Sequence, residues 1–183
     1  MANLRFGLIS LLMLAVLSCS PRGSSQLDPA HVGKAIGGIT FKPMDGEPLS
    51  SEKELKGKVV VLDFFASWCD PCLRALPRLV EMDRASRADG LALLGISLDT
   101  DPRLLRSILA RHGVTYPVGL RADNESLLQL IAGYSPERLI PPIPTTAILD
   151  RQGRLQALYV GLGPGEEHLR LISAKVEQLL KAP

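Results

Sequence analysis

The sequence has almost no surplus of charge of either sign. Its 183 residues carry 21 Lys and Arg against 19 Asp and Glu, a formal net charge of +2. Such a balance supplies no basic stripe for phosphate contacts, so nucleic-acid binding is not expected. Histidine is scarce as well. His31, His112 and His168 are scattered, none at ligand spacing, and a structural zinc site needs about four ligands. The longest apolar stretch near the N-terminus, 6–17, is roughly a dozen residues and too short to span a bilayer as a permanent helix. Apolar content of 46% with 22% charge excludes both a disordered chain and a multi-span membrane protein. The length suits one well-packed domain and is short for two. Cysteine is rare too: Cys19, Cys69 and Cys72 are all there is.

The N-terminus is organised differently from the rest. "MANLRFGLISLLMLAVLSCSPRG" has a weakly basic start, with Arg5 its only charge before Cys19, then an apolar core and small residues ending in a cysteine. Residues 1–18 therefore read as an export signal. "VLSC" resembles a bacterial lipobox, which implies that Cys19 becomes a lipidated N-terminus, although Leu17 stands where a small residue is more usual. Residues 19–31 are small, polar and Pro-containing, a flexible tether, and 32–183 form the domain. If lipid consumes Cys19, an even pair remains with no orphan thiol in an oxidising compartment.

The domain alternates strand and helix signals. Asp45-Gly46 marks a small hairpin over 38–50. "KVVVLDFFA" (58–66) is a continuous β-branched and aromatic run, a strand buried on both faces. Helical spacing of Leu73, Leu76, Leu79, Val80 and Met82 predicts a helix over 70–88, with Pro71 in its first turn and a kink at Pro77. A second buried strand (91–99) leads to a helix opened by Asp101-Pro102. "TYPVGL" reads as a short strand, and "DNESLLQLIAGY" as a capped helix ending at Gly133. Two strands then turn at Asp150–Gly153, and an amphipathic helix closes the chain over 165–181. The pattern is that of an α/β sheet finished by an antiparallel hairpin and a covering helix.

Cys69 and Cys72 in "FFASWCDPCLRALP" carry the chemistry. A lone C-x-x-C holds two ligands at most, and a bond closing so short a loop does little for folding. A redox pair uses every neighbour. At the leading end of a helix, the Cys69 sulfur faces unpaired N–H groups and the positive end of the dipole, which favour thiolate over thiol. Cys72, one turn in, is buried and stays protonated until needed. Cys69 would attack a partner's disulfide and Cys72 would resolve the mixed disulfide.

"KGKVVVLDFFASWCDPC", followed later by "IPTTAILDRQGRL", resembles the thioredoxin superfamily, most of all its TlpA/ResA-like (DsbE-like) bacterial thiol-disulfide oxidoreductases, over about residues 32–181. The resemblance implies a thioredoxin fold: a central mixed β-sheet flanked by helices, with an N-terminal β-hairpin and an inserted strand–helix segment. It implies that Pro144 is cis and packs against the cysteine pair. A proline tolerates cis at small cost and lacks an N–H that could compete for the sulfur. Ile143 would then pair its backbone with a partner peptide, with Trp68, Pro71 and Thr145 lining the same groove. Asp63 matches the family's proton acceptor for the resolving thiol, and its central position in an apolar strand should raise its pKa. The Glu that many members carry three residues after the second cysteine is Ala75 here.

Asp70 adds a negative charge beside Cys69 and argues for a reducing couple. The Pro-rich "SPERLIPPIPTT" suggests that Leu139–Ile143 shapes the docking groove. Implied partners are disulfide-bearing proteins outside the cytoplasm, a membrane electron donor of the DsbD/CcdA kind and a lipid anchor on the periplasmic side of the envelope. A monomer without cofactor or metal is expected. Cytochrome c maturation is one typical task of the branch. Two rivals are a peroxiredoxin, which needs a Thr/Ser and Pro upstream of its reactive cysteine, and a lipid-anchored copper- or partner-binding module, which carries a longer cysteine spacing and a nearby His.

Overall fold

Asp45-Gly46 turns the chain between two short antiparallel strands, Thr40–Phe41 (β1) and Leu49–Ser50 (β2), with Gly46 at φ +100°, a conformation its missing Cβ permits. The computed structural model describes residues 33–131 and 142–182. The expected signal peptide, tether, Cys19 and the Pro-rich segment through residue 141 lie outside the described residues. So does the expected helix end at Gly133.

Val59–Phe65 (β3) is buried at every position, as its unbroken apolar run predicts. It leads through a short loop into Asp70–Ser86 (α1). Leu91–Ser97 (β4), Pro102–Arg111 (α2), Val118–Leu120 (β5) and Glu125–Ile131 (α3) follow. Thr145–Leu149 (β6) and Leu155–Val160 (β7) make the closing hairpin, covered by Glu167–Lys181 (α4). The five-stranded sheet has the order β5-β4-β3-β6-β7. Strands β3, β4 and β5 run parallel, whereas β6 and β7 are antiparallel to their neighbours.

Alternation along β3 divides the core. Val59, Val61 and Phe65 pack with residues of α1, α2 and α4, including both cysteines. Val60, Leu62 and Phe64 pack with Phe41, Leu55 and the α3 residues Leu127 and Leu128. Each fully buried side chain of this size contributes roughly 1.5–3 kcal/mol. Both sheet edges are covered. Met44 N–H donates to Val118 O at 2.8 Å on the β5 side, and Ala35 bridges Arg154 on the β7 side. Asn124 fastens the first of these covers, accepting from Lys42 N–H at 2.9 Å and donating to Lys42 O at 3.0 Å.

Two strand and helix starts differ from the sequence reading. The strand expected over 115–120 starts at Val118, because Pro117 has no N–H to give the ladder and only its carbonyl pairs, with Gly95 N–H at 2.9 Å. As expected, α1 continues past Pro77, which lies on its exposed side, to Ser86. The last helix starts at Glu167, since Gly165 and Glu166 both take positive φ. Among the described residues no helix is long and apolar enough to cross a membrane.

Candidate active site

Cys69 is the N-cap of α1, with extended backbone, and Cys72 is one turn in. The two are disulfide-bonded, their Cα atoms 5.2 Å apart. Cys72 N–H donates to Cys69 Sγ at 3.3 Å, so the sulfur takes the place that a Ser or Asp oxygen fills at an ordinary helix start. Pro71, in the first turn, has no N–H to compete for the sulfur, and Leu73 N–H donates to Cys69 O at 3.0 Å. Cys72 is 1% exposed and Cys69 7%, so Cys69 is the less deeply buried residue of the pair. Trp68, the preceding residue, is 58% exposed, the most exposed large apolar side chain among the described residues.

Asp63 lies in the middle of β3, fully buried, and shares the parity of Val61 and Phe65, the face on which α1 and Cys72 pack. Thr146, its register partner on β6, donates from Oγ1 to Asp63 Oδ1 at 3.2 Å. Burial pushes the Asp63 carboxyl up to about 7, against the smaller lowering effect of that hydrogen bond. A carboxyl poised there can take a proton from a thiol and release it again near neutral pH.

The Ile143–Pro144 bond is cis. It leads directly into β6, where Pro144 is buried and Ile143 is half-buried against the core layer that contains the cysteines. Thr145 is buried too, its hydroxyl donating to Pro142 O at 2.8 Å. Pro144 O accepts from Gly161 N–H at 2.7 Å, which ties this segment to the end of β7. Ala75, where the family's Glu would stand, is buried in the same core layer and brings no acid to it. Asp70 is exposed in the first turn of α1.

Residues 32–158 match the AhpC/TSA family. The chain belongs to that family. It is similar to the thiol-disulfide oxidoreductase ResA of Bacillus thuringiensis, at 23% identity over 72% of this chain and 70% of that protein. It is also similar to the thioredoxin-like protein YneN of Bacillus subtilis, at 29% identity over 70% of this chain and 71% of that protein. A crystal structure of a thioredoxin-family thiol:disulfide interchange protein from Chlorobium tepidum superposes with a TM-score of 0.66, at 27% identity, covering 81% of this chain and 97% of that one. The fold is the thioredoxin fold, and this AhpC/TSA-family chain is a thioredoxin-like thiol-disulfide oxidoreductase of the ResA type, with Cys69 and Cys72 as its pair.

Two groups at the site were not singled out by the sequence. Asp99, just past β4, accepts from Ser67 N–H at 2.8 Å, from Ser67 Oγ at 2.6 Å and from Ser97 Oγ at 2.5 Å. This carboxylate clamps the loop that carries Trp68 and Cys69, and Leu98 N–H to Phe65 O at 2.9 Å closes the same corner. "SLDTD" gives one hint, an acidic residue inside the end of an apolar strand, where it must find donors. The second is Thr146, whose only signal was its place next to Thr145.

Proposed function

We propose that this family member reduces disulfides of partner proteins outside the cytoplasm, held at a membrane through lipid on Cys19 and recharged by a membrane dithiol donor of the DsbD/CcdA kind. Cytochrome c maturation is a task consistent with that reading. The observation that carries it is the capping geometry: the Cys69 sulfur sits at the leading end of α1 while Cys72 is sealed beneath it.

In the reduced protein the Cys69 thiolate attacks one sulfur of a partner disulfide. That S–S bond breaks, a Cys69–partner disulfide forms, and the departing partner sulfur takes up a proton. The Cys72 thiol then gives its proton to the Asp63 carboxylate, and the Cys72 thiolate attacks Cys69 Sγ. The partner's second sulfur leaves and is protonated. The Cys69–Cys72 disulfide remains, the state seen here. Two electrons have passed to the partner, and the donor dithiol returns them. Trp68, Pro71, Ile143, Pro144 and Thr145 frame the groove in which the partner docks, with the exposed Trp68 as its apolar anchor. Asp70 keeps the couple reducing by placing negative charge next to the Cys69 thiolate.

Trapping tests this. A Cys72→Ser variant expressed in a bacterial envelope should accumulate mixed disulfides on Cys69 that dithiothreitol releases, carrying partners with paired cysteines. Trapping that is absent, or equally strong in Cys69→Ser, contradicts the assignment.

A further inference from the structure

His168 is a buried imidazole that the redox cycle leaves unused. It stands in the first turn of α4, and its Nδ1 lies 2.9 Å from Gly161 O. A carbonyl has no proton to give, so Nδ1 carries the hydrogen and donates it. Gly161 N–H donates in turn to Pro144 O at 2.7 Å. One residue of the turn between β7 and α4 therefore joins the imidazole to the cis-proline segment, with a hydrogen bond on each side of it.

The turn is built round the ring. A Cβ on Gly163 would stand 2.9 Å from His168 Cδ2, so the imidazole occupies the space that a side chain there would need. His168 N–H donates to Leu162 O at 2.9 Å, and the ring packs against Tyr159 with centroids 5.5 Å apart. Tyr159 is the register partner of Thr146, whose partner on the other side is Asp63, so the ring ends a row of side chains that crosses the sheet from Asp63. Leu162 and Ile143 both pack on the core layer that holds Cys69 and Cys72. Glu166, in the same turn, reaches Arg74 of α1 at 3.8 Å, two residues past Cys72.

We propose that His168 is a positioning residue for substrate docking: its Nδ1–H holds Gly161, Gly161 holds the Pro144 carbonyl, and the Ile143 backbone is thereby kept as the edge on which a partner polypeptide pairs beside Cys69. This deepens the reading above and rests on the cis-proline segment being that edge. A docking edge gains from being fixed beforehand, because a segment that has to be ordered on contact uses up part of the binding free energy. The hold serves an extended polypeptide. A small disulfide that reaches Cys69 without pairing a backbone draws nothing from it.

Two substitutions separate the donor from the ring. His168→Phe keeps a ring against Tyr159 and Gly163 and removes the Nδ1 donor, whereas His168→Asn gives up the ring and keeps an N–H near the place of Nδ1. Oxidation of each reduced protein by insulin, whose disulfides lie in a polypeptide, is followed to saturation, with hydroxyethyl disulfide as a reference that has no peptide group to pair. The half-saturating insulin concentration should rise about fivefold in His168→Phe, the worth of one hydrogen bond, without a matching fall in the maximal rate or in the reference rate. His168→Asn should restore most of that loss. Deuterium exchange at Gly161 N–H should quicken in His168→Phe and recover in His168→Asn. Parent-like insulin saturation in His168→Phe, or equal losses with insulin and hydroxyethyl disulfide, overturns the role of His168. A Pro144→Ala variant that saturates at the parent's insulin concentration overturns the docking edge instead, a failure that leaves the Gly161 exchange result standing.

Discussion

Thr146 stands directly opposite Asp63 in the β3–β6 ladder and gives its hydroxyl to Asp63 Oδ1 at 3.2 Å, a side-chain pair 83 residues apart in the chain. One hydroxyl does not offset the cost of a charge at the centre of a sheet, and the carboxyl sits near 7 instead of 3.8. The protein therefore keeps a buried carboxyl at the expense of stability, at the position the proposed proton transfer uses.

That expense has a defined pH window. Below about 4 the carboxyl is protonated in both the folded and unfolded chains. As pH rises toward 7 the unfolded chain ionises first, so stability falls, and above 7 the loss is constant. Asp63→Asn, which can still accept from Thr146, should be more stable than the parent by up to about 4 kcal/mol above pH 7. The gap should close as pH falls and vanish near 4. Urea unfolding across that range measures it, and a gap independent of pH would contradict the burial of the charge.

Asp99 should matter to the loop ahead of Cys69. Asp99→Ala strands the Ser67 N–H and both serine hydroxyls, at about 2–4 kcal/mol, and should lower the melting temperature by several degrees. Attack by Cys69 should slow as well, because Ser67 is two residues from it. An unchanged melting temperature would show that the clamp is redundant.

Gly119 is a packing test for the hairpin that covers the sheet edge. A Cβ there meets the Lys42 carbonyl, which belongs to the backbone and cannot swing aside, and comes within 2.7 Å of Asn124 Nδ2. Gly119→Ala should cost about 2–4 kcal/mol in chemical denaturation. Gly37→Ala, with nothing within 4 Å of its Cβ, should stay within about 0.5 kcal/mol of the parent.

Asp70 bears on the direction of electron flow. Replacing it by Asn removes a negative charge next to the attacking sulfur. Alkylation of reduced Cys69 at pH 7 should accelerate two- to threefold, roughly the effect of one screened surface charge. The equilibrium with glutathione should shift toward the dithiol. No change in either would remove Asp70 from the proposal that the couple is reducing.

The sequence made the scaffold readable where side-chain pattern alone decides it. The unbroken run of β3, the C-x-x-C at a helix start and the Asp45-Gly46 turn each state their structure locally, and Asp63 stood out as an acid in the middle of an apolar strand. What stayed hidden depends on register. Nothing local says that Thr146 faces Asp63, that Asp99 reaches back 32 residues to Ser67, or that Tyr116 rests on Gly95 with its hydroxyl unpaired. The start of α4 was missed for a different reason: an amphipathic pattern extends back through Gly165 and Glu166, whose positive φ values no side-chain period reveals.

The division of labour between the two sulfurs is tested most directly by brief treatment of the fully reduced protein with less than one equivalent of iodoacetamide at pH 7, followed by mapping of the carbamidomethyl group. Label confined to Cys69, at a rate well above that of free cysteine, is the expected result. Label on Cys72, or a slow and equal division between the two, would contradict the assignment of attacking and resolving thiols.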